Sequence, residues 1–458
     1  MSTSAVLTPP TAPPKPGAPA VYLEPFARWE RGAEPAWLGE FRQAGRDRFA
    51  ARGLPTLRDE DWRFTSLAPL TQIPFRPARA LADPAAGLSP DQLARLPLAT
   101  LEGDCLVFVD GHFAPSLSRL RPAAAGVQVL SLSQAWREGA SWLQPLLTPV
   151  AGPAAEAFAA LNDAYVTDGA AIRIGSRTAL PAAIRLLFVS TATETGRAAH
   201  VRNLILAEPH SAVTVIEEYV SLGDAATLTN AVTTLHAGEG TNVEHVRFQD
   251  ENARACHIGS FHAVLGREAR VSAHSLALGA RLSRQNIRTI LDGPGLEVVL
   301  NGLYLTDGER LADHHMIVDH AQPHCASHEY FNGILAGQSR GVFHGRILVR
   351  PGAQKTDAKQ TNKNILLSPQ ATVNTKPQLE IYADDVKCTH GATIGQLNPE
   401  SVFYLRARGL PLDKARRMLI HAFAGEIIDR VQYAPLREQL DQLVWDRLEQ
   451  DEQVHLAP

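Results

Sequence analysis

The sequence predicts a mainly β protein built on a solenoid, a β-helix, with helical flanks. Three observations carry this. From Asp168-Gly169 to about Gly395, short alternating apolar and polar runs are broken by Gly, Asn, Asp or Pro, and helical periodicity is scarce. That stretch is long for one β-sandwich, and small residues and Asn at the breaks suit apolar side chains stacked rung on rung. Before Tyr165 and after Pro399 the apolar spacing is helical instead. No internal repeat of fixed period can be read along the chain.

Residues 1–20 are rich in proline and small residues with no hydrophobic period, which predicts a disordered or polyproline tail. Residues 21–165 are expected to form a mixed, mainly helical N-terminal domain. Within it, Trp37, Leu38, Phe41, Ala44 and Phe49 fall near helical spacing over 35–51, and Gly53 and Pro55 stop that helix. Trp62 and Phe64 suggest a short turn and strand within 59–70. A strand over 106–109 closes on the tight turn Asp110-Gly111, and 131–147 and 154–165 read as helices. The β-helix core is placed at 166–398, with strands at 171–174, 185–189, 212–220, 241–248, 270–276, 296–305 and 345–349. Residues 399–458 read as a C-terminal helical domain. Its first long helix opens at Pro411-Leu412-Asp413 with an apolar stripe of Ala415, Met418, Leu419, Ala422, Phe423, Ile427 and Val431. A second spans 435–450. Such a hairpin either caps the β core or docks into a partner's groove.

Composition narrows the function classes. Apolar content of 45% and charged content of 20% are those of an ordinary globular protein, and a formal net charge of −4 argues against wholesale nucleic-acid binding. Seven bases between 338 and 378 face one acid, Asp357, but no aromatic residues alternate with them to stack bases, so a solvated face or protein interface is the better reading. Cys105, Cys256, Cys325 and Cys388 are far apart, which suits a reducing cytoplasm with free thiols. No apolar run approaches the ~20 residues of a membrane span, and the start lacks a signal-peptide pattern. Neither a P-loop string nor GxGxxG, GxSxG or HExxH occurs, so the chain is expected to bind no nucleotide of its own.

Two places carry candidate chemistry. In Asp384-Asp385-Val386-Lys387-Cys388-Thr389-His390-Gly391, the thiol and imidazole lie at i and i+2, on one face of an extended strand. Sulfur with imidazole suits iron, zinc or an iron–sulfur cluster; a packed cysteine beside a structural histidine is the bland alternative. The densest histidine cluster is His314, His315 and His320, followed by His324 and His328. Alternation places His314 and His320 on one face and His315 with Asp319 on the other, so one multi-histidine ion site needs a bulge.

Longer strings add to this. Cys325-Ala-Ser-His-Glu-Tyr-Phe-Asn-Gly-Ile-Leu, Val342-Phe-His-Gly-Arg-Ile-Leu-Val, Ala353-Gln-Lys-Thr-Asp-Ala-Lys-Gln-Thr-Asn-Lys-Asn and the Thr375-to-Thr393 stretch, followed by Phe403-Tyr-Leu-Arg-Ala-Arg-Gly, closely resemble the SufB/SufD family of iron–sulfur cluster assembly proteins. The dense match covers 311–429, with echoes at Phe158-Ala-Ala-Leu-Asn-Asp-Ala and Asp61-Trp62-Arg63-Phe64-Thr65. Within the family, Cys-x-His-Gly-Ala-Thr resembles the SufD branch rather than the SufB branch. The resemblance implies a right-handed β-helix core. It also implies a non-catalytic scaffold subunit working with a SufB-like paralogue and a SufC-like ABC-type ATPase, and a homodimer is conceivable when the chain is alone. It makes His390 and Cys388 candidate ligands of a transient cluster or iron at the paralogue interface. It makes Phe403, Tyr404, Arg406, Met418 and Phe423 a candidate ATPase-docking region.

Two other functions are open to the residues. A β-helix enzyme acting on polysaccharide would need paired carboxylates, but Asp384-Asp385 and Glu217-Glu218 are adjacent and face opposite ways along a strand. A metal-dependent hydrolase would have to bring His314, His320 and His390 together.

Overall fold

Winding dominates the architecture of the computed structural model, which describes residues 22–23, 34–78, 83–86, 88–122, 125–148 and 157–450. The tail expected at 1–20 lies outside the described residues. Strand accounts for 42% of the chain and helix for 24%, arranged as a parallel β-solenoid of about eight turns. Successive strands alternate between two sheets. The first holds Ala170–Ile174, Arg197–Ala207, Thr227–Ala237, Cys256–Leu265, Leu282–Leu291, Leu311–His320, Arg340–Val349 and Thr372–Ile381. The second holds Ile184–Ser190, Ala212–Ser221, Asn242–Asp250, Arg270–Ala277, Glu297–Thr306, Ala326–Leu335, Asp357–Leu366 and Lys387–Gly395. Cys256 pairs with Leu282 and Ala171 with Leu204, so a coil takes from 26 to 33 residues. That variation is why no fixed period shows in the sequence.

Inward-facing side chains stack in rows between the sheets. Phe108, Phe188 and Tyr219 form one such ladder, with ring centroids 4.8 and 4.7 Å apart. Each buried aromatic ring contributes on the order of 3 kcal/mol relative to truncation.

The N-terminal segment is stitched into the first coils. Asp104–Val109 joins the second sheet parallel to Ile184–Ser190, and Val127–Ser131 pairs antiparallel with Ala170–Ile174. Asp110 and Gly111, with φ of 48° and 84°, make the tight turn after the first of these. The buried Asp168 carboxylate accepts from the Ser133 amide and hydroxyl and from the Gly169 amide. Gly169, at φ 145°, passes so close to Arg202 that a Cβ would lie 1.9 Å from its carbonyl oxygen. Helix α1 (Ala36–Arg52) packs on α2 (Ala157–Tyr165), and every residue of α2 is buried. The two N-terminal echoes meet on the solenoid wall: the Trp62 and Phe158 rings are 5.5 Å apart, the Arg284 guanidinium lies 3.8 Å from the Trp62 ring centroid, and the Thr65 hydroxyl donates to Asp313.

Three local expectations need correction. The turn and strand expected within 59–70 is a 3₁₀ turn, Glu60–Trp62, followed by the short helix Ala68–Thr71. The helix expected over 131–147 is two, Leu132–Arg137 and Leu143–Leu146, interrupted where Gly139 adopts φ 71°. The C-terminal helices are α3 (Pro399–Ala407), α4 (Leu412–Ile428) and α5 (Ala434–Gln450). On α4 the face turned to the solenoid carries Ala415, Ile420, Ala424, Ile427 and Ile428, so Met418 and Ala422 of the expected stripe are exposed instead. The segment has two apolar rows, and α4 buries the one that meets Leu303, Leu305 and Ile334 on the second sheet.

Candidate functional site

The last turn of the solenoid ends in two edge strands, Thr372–Ile381 and Lys387–Gly395, each paired on one side only among the described residues. Their outer N–H and C=O groups face no further coil. Ile381, Tyr382 and Ile394 are 40%, 62% and 48% exposed at this end. Edge strands are ordinarily shortened, charged or covered; Lys376, Pro377, Glu380 and Lys387 supply charge and a proline here, and the exposed apolar residues beside them have the character of an interface.

Cys388 and His390 both lie on the outermost strand. Cys388 is in register with Ala358 and His390 with Gln360, and these two are buried, so the terminal pair continues an inward-facing row. Cys388 is half-buried against Ile347, Val349, Ala353, Ala358 and Ala383, and burial pushes its thiol pKa upward. His390 is exposed. One coil behind Gln360 in the same row stands Glu329. The Gln360 side-chain amide donates to one Glu329 carboxyl oxygen, while the other is buried without a partner. Burial raises the Glu329 pKa to about 8, so a neutral carboxylic acid stands two rungs behind His390 at neutral pH. Sequence reasoning missed Glu329 and Gln360; the coil spacing of 31 and 30 residues from Glu329 to Gln360 to His390 is the signal that finds them.

The expected docking residues cluster at the C-terminal helices. Helix α3 buries none of its own residues, and Phe403 and Tyr404 are 74% and 55% exposed. The Arg408 guanidinium sits 3.5 Å from the Tyr404 ring centroid. Arg406 and Met418 are exposed, whereas Phe423 is half-buried against the solenoid and its carbonyl accepts from Asn332 at 2.9 Å. A cavity of about 250 Å³ lies beneath α3, lined by Leu366, Leu397, Val402 and Leu412.

The structure separates the other candidates. His314 and His320 point inward, bonded to Ser275 at 3.0 Å and Ser327 at 2.9 Å. Among the described residues no group of three metal-ligating side chains includes His314, His320 or His390, so the hydrolase triad does not assemble. His324 occupies a turn with φ 59°. On the opposite face of the His314 strand, Asp319 pairs with Arg350, and His315 is in register with His344 of the next coil. Burial lowers the pKa of His315, and burial with the neighbouring His315 and Lys376 lowers that of His344 to about 4. Glu217 faces inward to Tyr219, Thr233 and His245, and Glu218 outward to Arg185, so the two carboxylates do not share a cleft. Six of the seven bases in 338–378 meet a carboxylate: Arg346, Arg350, Lys355, Lys359, Lys363 and Lys376. No described helix is long and apolar enough to cross a membrane.

A parallel β-solenoid whose last coil is unpaired and carries a thiol and an imidazole, flanked by an exposed C-terminal helix, defines the class of protein. Residues 188–423 match the family profile described as SUF system FeS cluster assembly, SufBD core domain, and residues 30–186 match the SufBD protein N-terminal region. The chain belongs to the SufBD family of iron–sulfur cluster assembly proteins. It is 35% identical to the iron–sulfur cluster assembly protein SufD of Escherichia coli over 86% of this chain and 90% of the relative. It is 34% identical to a SufBD family protein of Synechocystis over 90% and 92%, and 24% identical to SufD of Bacillus subtilis over 92% and 95%.

Proposed function

We propose that this chain is the SufD-type subunit of a cytoplasmic iron–sulfur assembly scaffold, with no catalytic activity of its own. The observation that carries the reading is the open terminal coil, where an exposed imidazole and a half-buried thiol share one inward strand face at an unpaired edge. A SufB-like paralogue would cover that edge, bringing thiolates to face His390. A cluster held by one protein through Cys ligands alone is hard to release, and a nitrogen ligand shared across a separable interface loosens it. Cys388 starts as a protonated thiol and would lose its proton only on meeting the metal. The exposed face of α3 and Met418 would receive a SufC-like ABC-type ATPase, which supplies the nucleotide chemistry this chain lacks. Iron and the nascent cluster are cargo.

The test is His390→Ala, in the complex formed on anaerobic co-expression with the host's SufB-like and SufC-like proteins. Because His390 is exposed, the fold and the complex should survive while bound iron and sulfide fall at least fivefold. Full cluster content in an intact variant complex would refute the ligand role.

A further inference from the structure

Away from the terminal coil, the outer wall of the first sheet brings together Asp61, His315 and His344. His315 and His344 are in register on neighbouring strands, with ring centroids 4.3 Å apart at 78°. Asp61 reaches them from the N-terminal Glu60–Trp62 turn, which Trp62 and Thr65 pin to the wall. One ligand atom from each of the three lies within 4.8 Å of the others. His315 and His344 are 6% and 7% exposed, and the Nε2 atom of each is buried with no hydrogen-bond partner. The Asp61 carboxylate stands 3.3 Å from His315 Nε2. That is long for a charge-assisted hydrogen bond, ~2.8 Å, but close to the ~3.4 Å separating two ligands of a tetrahedral zinc ion. Lys376 and Arg284 lower the pKa values of His344 and His315, so their charge reaches the site, but Lys376 is paired with Glu60 and Arg284 with Asp313, which offsets part of it.

We propose that Asp61, His315 and His344 form a binding site for a first-row divalent transition cation, Zn²⁺ or Fe²⁺. Two imidazoles and one carboxylate are borderline ligands that prefer such ions to Mg²⁺ or Ca²⁺. The remaining coordination positions face a cavity of about 520 Å³ bordered by Arg58, Phe64 and Lys376. An ion there is therefore open to water or an incoming ligand. It also clamps the N-terminal segment to the solenoid. None of the three ligands belongs to the terminal coil, although its Lys376 borders the cavity, and no partner chain is needed, so the site is independent of the assembly reading.

The probe is the full-length protein stripped of metal by a chelator and titrated with Zn²⁺ by calorimetry and with Co²⁺ by visible absorption. One equivalent of each should bind. The Co²⁺ spectrum should show weak d–d bands without thiolate charge-transfer bands, and Mg²⁺ should not compete. Anaerobic Fe²⁺ titrated alone into the stripped protein should bind more weakly than Co²⁺, whereas absence of Fe²⁺ binding limits the site to zinc-like ions. Asp61→Asn and His344→Gln should each weaken binding at least tenfold, and Cys388→Ser with His390→Ala should leave it unchanged. Absence of Zn²⁺ binding, affinity untouched in both single variants, or loss in the Cys388/His390 variant would overturn the proposal. Far-UV circular dichroism screens each variant for folding. Should one unfold, the other decides, since they alter different segments of the chain.

Discussion

Glu329 has lost contact with water without gaining a cation. Its partner is the neutral Gln360 amide, so burial is uncompensated and the carboxyl stays protonated. The folded pKa of about 8 lies above the ordinary 4.5. Between these values the unfolded chain releases a proton that the native chain keeps, so this group's contribution to stability falls as pH rises from 4.5 to about 8, then levels off. Glu329→Gln keeps the shape and removes the ionisation. It should match the parent near pH 4 and exceed it by at least ~1 kcal/mol at pH 9 in urea unfolding; a variant less stable at pH 9 would show that Glu329 is ionised in the fold. The same row places this acid two rungs behind His390.

Among the C-terminal helices, α3 alone buries none of its own residues, and its two aromatic side chains serve no part of the core. Phe403→Ala with Tyr404→Ala should therefore leave thermal stability within about 2 °C of the parent, while ATPase capture in a pull-down weakens at least tenfold. Unchanged capture would move the docking face elsewhere. Elements of this kind were partly legible in the sequence. Strands over 212–220, 270–276 and 296–305 were readable because inward and outward residues alternate, and they appear as Ala212–Ser221, Arg270–Ala277 and Glu297–Thr306. The repeat was not, because coils of 26 to 33 residues blur any fixed period. On α4, two apolar rows compete and only contact with the second sheet chooses Ile420 and Ala424 over Met418 and Ala422. Cys388 and His390 could be found by their i, i+2 spacing. Glu329, Gln360 and the Asp61–His315–His344 group could not, since their proximity depends on the coil register and on where a distant N-terminal turn docks.

At the scale of the whole molecule, the solenoid has two unlike ends. N-terminal strands close the first coils, whereas the last coil keeps an unpaired apolar edge bearing His390. Helices α3 to α5 lie to one side of that edge, on the second sheet, so the end and the flank can be occupied together. In the proposed assembly such a subunit would join one partner end-on and a second at the side, which is the geometry a shared assembly site needs. The direct measurement is anaerobic size-exclusion chromatography, with mass and iron/sulfide analysis, of the tagged chain co-expressed with its host's SufB-like and SufC-like proteins. The account predicts one complex containing all three proteins and carrying iron and sulfide. A chain that elutes alone, with neither partner and without sulfide, would contradict it.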